Sequence, residues 1–169
     1  MLSEFIYMIH IILGNTGAGK TSYCKKLQQK NGGIIFTIDE WNNSLFMSDK
    51  TDNDGLEWFL ERLSRIENQM KKLVLQLEVS GIDSILDLGF SKFEHRAMFH
   101  EFAKKHHINT QTHFLDVNKT LRWERVQQRN LEKGDTYEFE VSKDNFEFME
   151  TWFERPNENE LKDAIIFSE

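Results

Sequence analysis

Gly14-Asn15-Thr16-Gly17-Ala18-Gly19-Lys20-Thr21 reads G-x-x-x-x-G-K-T, and it stands between two contrasting runs. Residues 6–13 before it are apolar and strand-like, while residues 21–29 after it are helix-like. A phosphate-binding loop requires that order of strand, glycine-rich turn and helix. The glycines let the backbone wrap so that successive N–H groups point inward at an anion. The positive end of the following helix dipole acts on the same phosphate. In such a loop Lys20 reaches the β- and γ-phosphates, and the Thr21 hydroxyl holds Mg²⁺. The whole stretch from Gly14 to Thr21 is therefore expected to bind a nucleoside triphosphate.

Outward from the loop, strand and helix signals alternate. Residues 34–38 (IIFTI) follow Gly32-Gly33 and read as a strand. From Leu56 to Leu77 the apolar residues keep helical spacing in a stripe broad enough for a core helix, and Gly81 ends it. Residues 82–88 predict a strand, and Ser91 with Glu94 predicts a capping box for a helix over 91–106. Residues 112–117 predict another strand, Asn118 an N-cap for a helix to about Arg129, and residues 164–167 a last strand. This alternation implies an α/β fold, a parallel sheet covered on both faces, with ligands beyond the carboxyl ends of its strands.

Two aspartates fall at such strand ends. Asp87 closes Ser84-Ile85-Leu86-Asp87, as does the acidic residue that helps position Mg²⁺ in phosphate-loop proteins. Asp39 follows the second strand; a carboxylate there could orient an attacking hydroxyl and accept its proton, or hold a water. Either could instead cap a turn.

Arg122, Arg125 and Arg129 are spaced three and four apart and share one helix face. Like charges so placed need an anion or carboxylates to answer them. A phosphoryl-transfer lid uses this arrangement; the other reading is a solvated face bridged to an acidic protein. Arg96 either meets an acceptor or pairs with Glu94 or Glu101. The six histidines show no metal-ligand spacing.

Bulk properties narrow the class. The 169 residues fit a single domain, 1–169, with chain enough for a core. A formal net charge of −7 argues against a general nucleic-acid or membrane-surface binder. The single cysteine, Cys24, excludes an intrachain disulfide and reads as a buried thiol. The short N-terminal apolar run lacks a basic lead and no run is long enough to span a bilayer, so a cytoplasmic protein is expected.

The ordered set resembles a family. Beyond the loop it includes Thr37-Ile38-Asp39-Glu40, Leu86-Asp87-Leu88-Gly89-Phe90 with His95-Arg96, Arg122 through Arg129, and Phe153-Glu154-Arg155-Pro156 with Glu160. It is similar to the small P-loop kinases that include zeta toxins, the kinase domain of polynucleotide kinase and many bacterial proteins described as ATP-binding. The resemblance implies a three-layer P-loop NTPase fold like that of nucleoside monophosphate kinases, with a five-stranded parallel sheet and a helical lid over about 118–150. It implies ATP and Mg²⁺ as cofactors. It assigns the general-base role to Asp39, charge stabilisation to Arg122, Arg125 and Arg129, and metal positioning to Thr21 with Asp87. It places Phe153 or Arg155 beside the adenine, although the residues alone favour a core Phe153. Many relatives carry an acceptor-binding arginine just after the catalytic aspartate, where this chain has Trp41, Asn42 and Asn43. Trp41 is then either a stacking surface or core.

The expected function is transfer of the γ-phosphoryl group of ATP to a hydroxyl of a small-molecule or nucleotide-like acceptor. The alternative is an ATPase or nucleotide-dependent switch acting through a protein partner. A GTPase is disfavoured, because Asn118-Lys119-Thr120-Leu121 lacks the final aspartate of a guanine-reading motif. A toxin-like kinase is a further variant of the leading reading.

Overall fold

The computed structural model describes residues 7–135 and 137–169. Five strands, β1 (Met8–Leu13), β2 (Ile34–Thr37), β3 (Ser84–Asp87), β4 (Asn109–Asp116) and β5 (Ile165–Ser168), form one parallel sheet in the order β2-β3-β1-β4-β5. The outcome is the α/β fold expected of the alternation. The expected strand over 6–13 begins outside the described residues.

β1 shows why the sheet is covered on both sides. Ile9, Ile11 and Leu13 turn one way, against Met70 and Phe99. Ile12 turns the other way, against Cys24. A strand whose two faces are both dry reads as a continuous apolar run rather than an alternating one. The first face carries α3 (Leu56–Val79), which buries Ile66, Met70 and Val74 at four-residue intervals, and α4 (Phe93–Lys105). The second face carries α1 (Lys20–Asn31) and the start of α5 (Lys119–Glu132). A satellite core of Val126, Val141 and Phe146 joins α5 to α6 (Lys143–Trp152). Also on the second face, His10 and His113 meet across β1 and β4 at 3.0 Å, and the His113 ring reaches the Tyr23 hydroxyl at 2.8 Å. Among the described residues no helix is long and apolar enough to cross a membrane.

Two local expectations change. The strand at 34–38 stops at Thr37, because Ile38 opens an unforeseen helix, α2 (Ile38–Leu45). Ile38, Trp41 and Leu45 have helical spacing, and Asp39 and Glu40 suit a first turn. The capping box at Ser91 does not form. Lys92 is the N-cap, and the Phe93 N–H is taken by the distant Glu154 carboxylate at 2.8 Å. Asn118 does cap α5, accepting from the Leu121 N–H at 3.0 Å.

Arg96 meets neither of its expected partners. It is 2% exposed, and its Nε and Nη2 donate to Glu160 at 2.6 and 3.2 Å. Its Nη1 donates to the Phe90 and Glu154 carbonyls, both at 3.0 Å. Burial opposes ionisation of Glu160, yet the Arg96 and Asn157 hydrogen bonds outweigh it and hold the carboxyl below its usual range. Asn157 and Glu160 also form the capping box of the one-turn helix α7 (Glu158–Leu161). Arg96 thus ties the β3–α4 junction to the chain around residues 154–160. Arg96→Ala leaves the half-buried Glu160 carboxylate with only the Asn157 N–H and takes the shared donor from two carbonyls, so it should cost about 3 kcal/mol. Urea denaturation checks this: the midpoint should fall with the slope unchanged.

Candidate active site

The phosphate loop leaves β1 at Leu13 and is shaped partly from outside the motif. Gly17 has φ +81°, and a Cβ there would lie 2.4 Å from the Arg122 carbonyl oxygen. Only glycine permits both the left-handed backbone and that approach to α5. Gly19 is the N-cap of α1 and offers no side-chain cap, which leaves the first N–H groups of α1 for an anion. Lys20 Nζ donates to the Gly14 carbonyl at 2.9 Å, holding the ammonium over the loop.

At the helix start, Thr21 Oγ1 donates to Asp87 Oδ2 at 2.9 Å. Asp87 ends β3, is 4% exposed and is in register with Thr37 on β2. These hard oxygens fit Mg²⁺, which binds through one or two protein oxygens and takes its other ligands from phosphate and water. Among the described residues no three His, Cys, Asp or Glu side chains converge on a metal position. Thr21 and Asp87 are the residues that would hold it.

Beyond Thr21 opens a cleft of about 390 Å³, lined by Asp39, Arg129, Asp135, Glu138 and Phe139 among others. Asp39 stands in the first turn of α2. Solvent reaches its side chain through the cleft mouth, but protein crowds the carboxyl from below. Burial, followed by the negative charge of Asp87, pushes its pKa up to about 6, against the pull of Lys20 and Arg129. Arg129 faces this charge from α5, and among the described residues its buried Nε has no hydrogen-bond partner.

The three arginines share a helix but not a task. Arg122 is 6% exposed; it donates to both oxygens of Glu150 at 2.6 and 3.0 Å, to the Val117 carbonyl at 2.9 Å and to the Thr16 carbonyl at 3.2 Å. Asn15 donates to the same Glu150 at 2.7 Å. Arg125 lies over the loop, with Nη1 3.4 Å from the Ala18 carbonyl and Nη2 bonded to Glu169. Arg129 alone lines the cleft. The carboxylates that answer the first two arginines come from α6 and the far end of the chain, which helical spacing cannot reveal.

A second recess of about 150 Å³ lies on the other side of the loop, lined by Asn15, Phe114, Asp116, Phe153 and Arg155. Arg155 meets Asp116 through both nitrogens at 2.7 and 2.5 Å, with its guanidinium 5.2 Å from the Phe114 ring centroid. Phe153 both lines this recess and packs against the core. Trp41 is a core side chain, its ring 6.2 Å from Phe36, and it does not line the cleft. Reading the sequence missed Lys25, Glu40, Asp135 and Glu138 in the cleft, and Glu150 beneath the loop. Glu138 accepts from Asn43 of α2 at 3.3 Å.

Ionising Asp39 in this cleft costs folding free energy. The stability associated with its neutral form is complete below the ordinary carboxylate pKa and is lost as pH rises through about 6. Asp39→Asn should therefore match the wild type near pH 4 and exceed it at pH 8. Solvent access limits the gain to about 1 kcal/mol. Thermal melts across that pH range check the crossover.

A family model described as AAA domain matches residues 9–156. No curated protein matches the sequence. Solved structures share the fold. A protein from Chloroflexus aurantiacus J-10-fl proposed to be a kinase superposes with a TM-score of 0.70 at 12% identity, covering 96% of this chain and 88% of that one. The APS kinase of Mycobacterium tuberculosis, in complex with AMPPNP and APS, gives 0.62 at 15% identity, covering 96% and 88%. A gluconokinase from Sinorhizobium meliloti 1021 gives 0.61 at 17% identity, covering 97% and 83%.

Proposed function

The chain belongs to the AAA domain family, and from that membership we propose that it transfers the γ-phosphoryl group of ATP to a hydroxyl of a small-molecule or nucleotide-like acceptor. One observation carries the reading. The Thr21–Asp87 hydrogen bond fixes the metal-binding end of the phosphate loop, and Asp39, its pKa near 6, lines the cleft beside it. The fold shared with a gluconokinase and an APS kinase supports it. We also take the kinship with zeta toxins and polynucleotide kinases, a cytoplasmic location, and adenine binding beside Arg155 as parts of this proposal.

The loop N–H groups and Lys20 hold the β- and γ-phosphates. Thr21 and Asp87 would hold Mg²⁺, which would supply positive charge at those phosphates. The acceptor hydroxyl lies against Asp39, which takes its proton. The hydroxyl oxygen forms a bond to the γ-phosphorus as the bond to the β–γ bridging oxygen breaks, and ADP leaves. Arg129, directed into the cleft, meets the charge on the moving phosphoryl group, and Arg125 supports the loop side. Arg122 acts at one remove, through its grip on Thr16 and Glu150. Excluding water from the cleft limits hydrolysis.

The test uses γ-labelled ATP, Mg²⁺ and a metabolite extract. Label on a new compound is expected; label on phosphate alone would favour an ATPase or switch. Asp39→Asn should lower transfer by a factor of about 10²–10⁴ while keeping ATP affinity. Wild-type transfer should rise with pH through about 6, as the base ionises, and the variant should lose that limb. Full turnover in the variant would remove Asp39 from the base role.

A further inference from the structure

The cleft beside the phosphate loop also bears on what the acceptor is. Its wall carries four carboxylates, Asp39, Glu40, Asp135 and Glu138, against two cations, Lys25 and Arg129. Among the described residues none of the four carboxylates is in a salt bridge, and the single hydrogen bond to them comes from Asn43. Elsewhere the half-buried carboxylates Asp116, Glu150 and Glu160 are answered by Arg155, Arg122 and Arg96, whereas exposed ones such as Glu94, Glu101 and Glu124 are not. What distinguishes the four is that they share the wall of one cleft beside the phosphate loop.

They are not arranged for an ion. No three of them converge on a metal position among the described residues. Distributed carboxylates suit a ligand with several separated donors, and Ile35 and Phe139 give the cleft apolar surface for a carbon skeleton. Arg129 faces Asp39 and the transferred group, which leaves the exposed Lys25 as the one other cation in the wall. A phosphorylated, sulfated or carboxylated acceptor would enter against a net negative wall, with like charges opposed at short range.

We infer that the acceptor is a polyhydroxylated amine, such as an amino sugar, whose ammonium group lies against the carboxylates of Asp135 and Glu138 while one hydroxyl lies against Asp39. This rests on the phosphotransferase reading. The reaction is the one already balanced: a phosphate monoester and ADP form, and the hydroxyl proton passes to Asp39. The amine stays protonated and takes no part.

The experiment separates the two claims. A metabolite extract is divided on ion exchangers into cation-retained, neutral and anion-retained fractions. Each is incubated with the full chain, γ-labelled ATP and Mg²⁺. Label should appear on a compound of the cation-retained fraction, and prior acetylation of that fraction's amines should cut labelling about tenfold or more. Label on a neutral or anionic compound would overturn the inference and leave the phosphotransferase standing. Label on phosphate alone would sink both. Asp135→Asn with Glu138→Gln should raise KM for the labelled compound about tenfold with kcat within about twofold, as loss of two ionic contacts predicts. An unchanged KM in a folded double variant would overturn the role of these carboxylates.

Discussion

The guanidinium of Arg122 is buried at the point where the phosphate loop, the end of β4, α5 and α6 meet, and the geometry of the loop follows from how that charge is satisfied. Taking an arginine and a carboxylate out of water costs several kcal/mol per ion, and only close, saturated geometry offsets it. Here both oxygens of Glu150, the Val117 carbonyl and the Thr16 carbonyl supply that saturation. Asn15 joins through Glu150, so two loop residues are tied to one ion pair. Gly17 then packs on the backbone of Arg122 itself. The motif defines what the loop can bind, while the ion pair outside it defines how firmly the loop is held.

The sheet order distributes the remaining chemistry. β1 lies at the centre, with β3 and β2 on one side and β4 and β5 on the other. Asp87 and Asp39 follow the first pair, and Asp116 with Arg155 follows the second. The acidic cleft and the recess that holds Arg155 consequently open on opposite sides of the phosphate loop. The proposed hold on polyphosphate by an acidic chain would rest on local charge: loop N–H groups, the α1 terminus and Lys20 act at one place, and the carboxylates of the cleft wall lie at another.

How much of this could be read from the residues depended on the range of the forces involved. The phosphate loop, the strand–helix alternation and the Asn118 cap are local patterns, and they stand where the spacing puts them. α2 was missed because IIFTI continues a β-branched run into Ile38, even though Ile38, Trp41 and Leu45 carry a short helical signal. The Ser91 capping box was displaced by Glu154, more than sixty positions away in the chain, and Arg96 found Glu160 rather than its helical neighbours. Arg122, Arg125 and Arg129 looked alike because periodicity reports a shared face and says nothing about what lies opposite it. The cleft wall at Asp135 and Glu138 was invisible for a related reason: isolated acids in a polar segment have no pattern until folding gathers them.

The two recesses have no lining residue in common, and the phosphate loop lies between them. Under the proposed function, with adenine in the recess beside Arg155 and the acceptor in the cleft beside Asp39, both ligands can be held at once, with neither blocking the entrance of the other. The steady-state kinetics would then be sequential through a ternary complex, without a phosphorylated enzyme intermediate. Double-reciprocal plots would intersect, and ADP would compete with ATP while leaving acceptor saturation to behave independently.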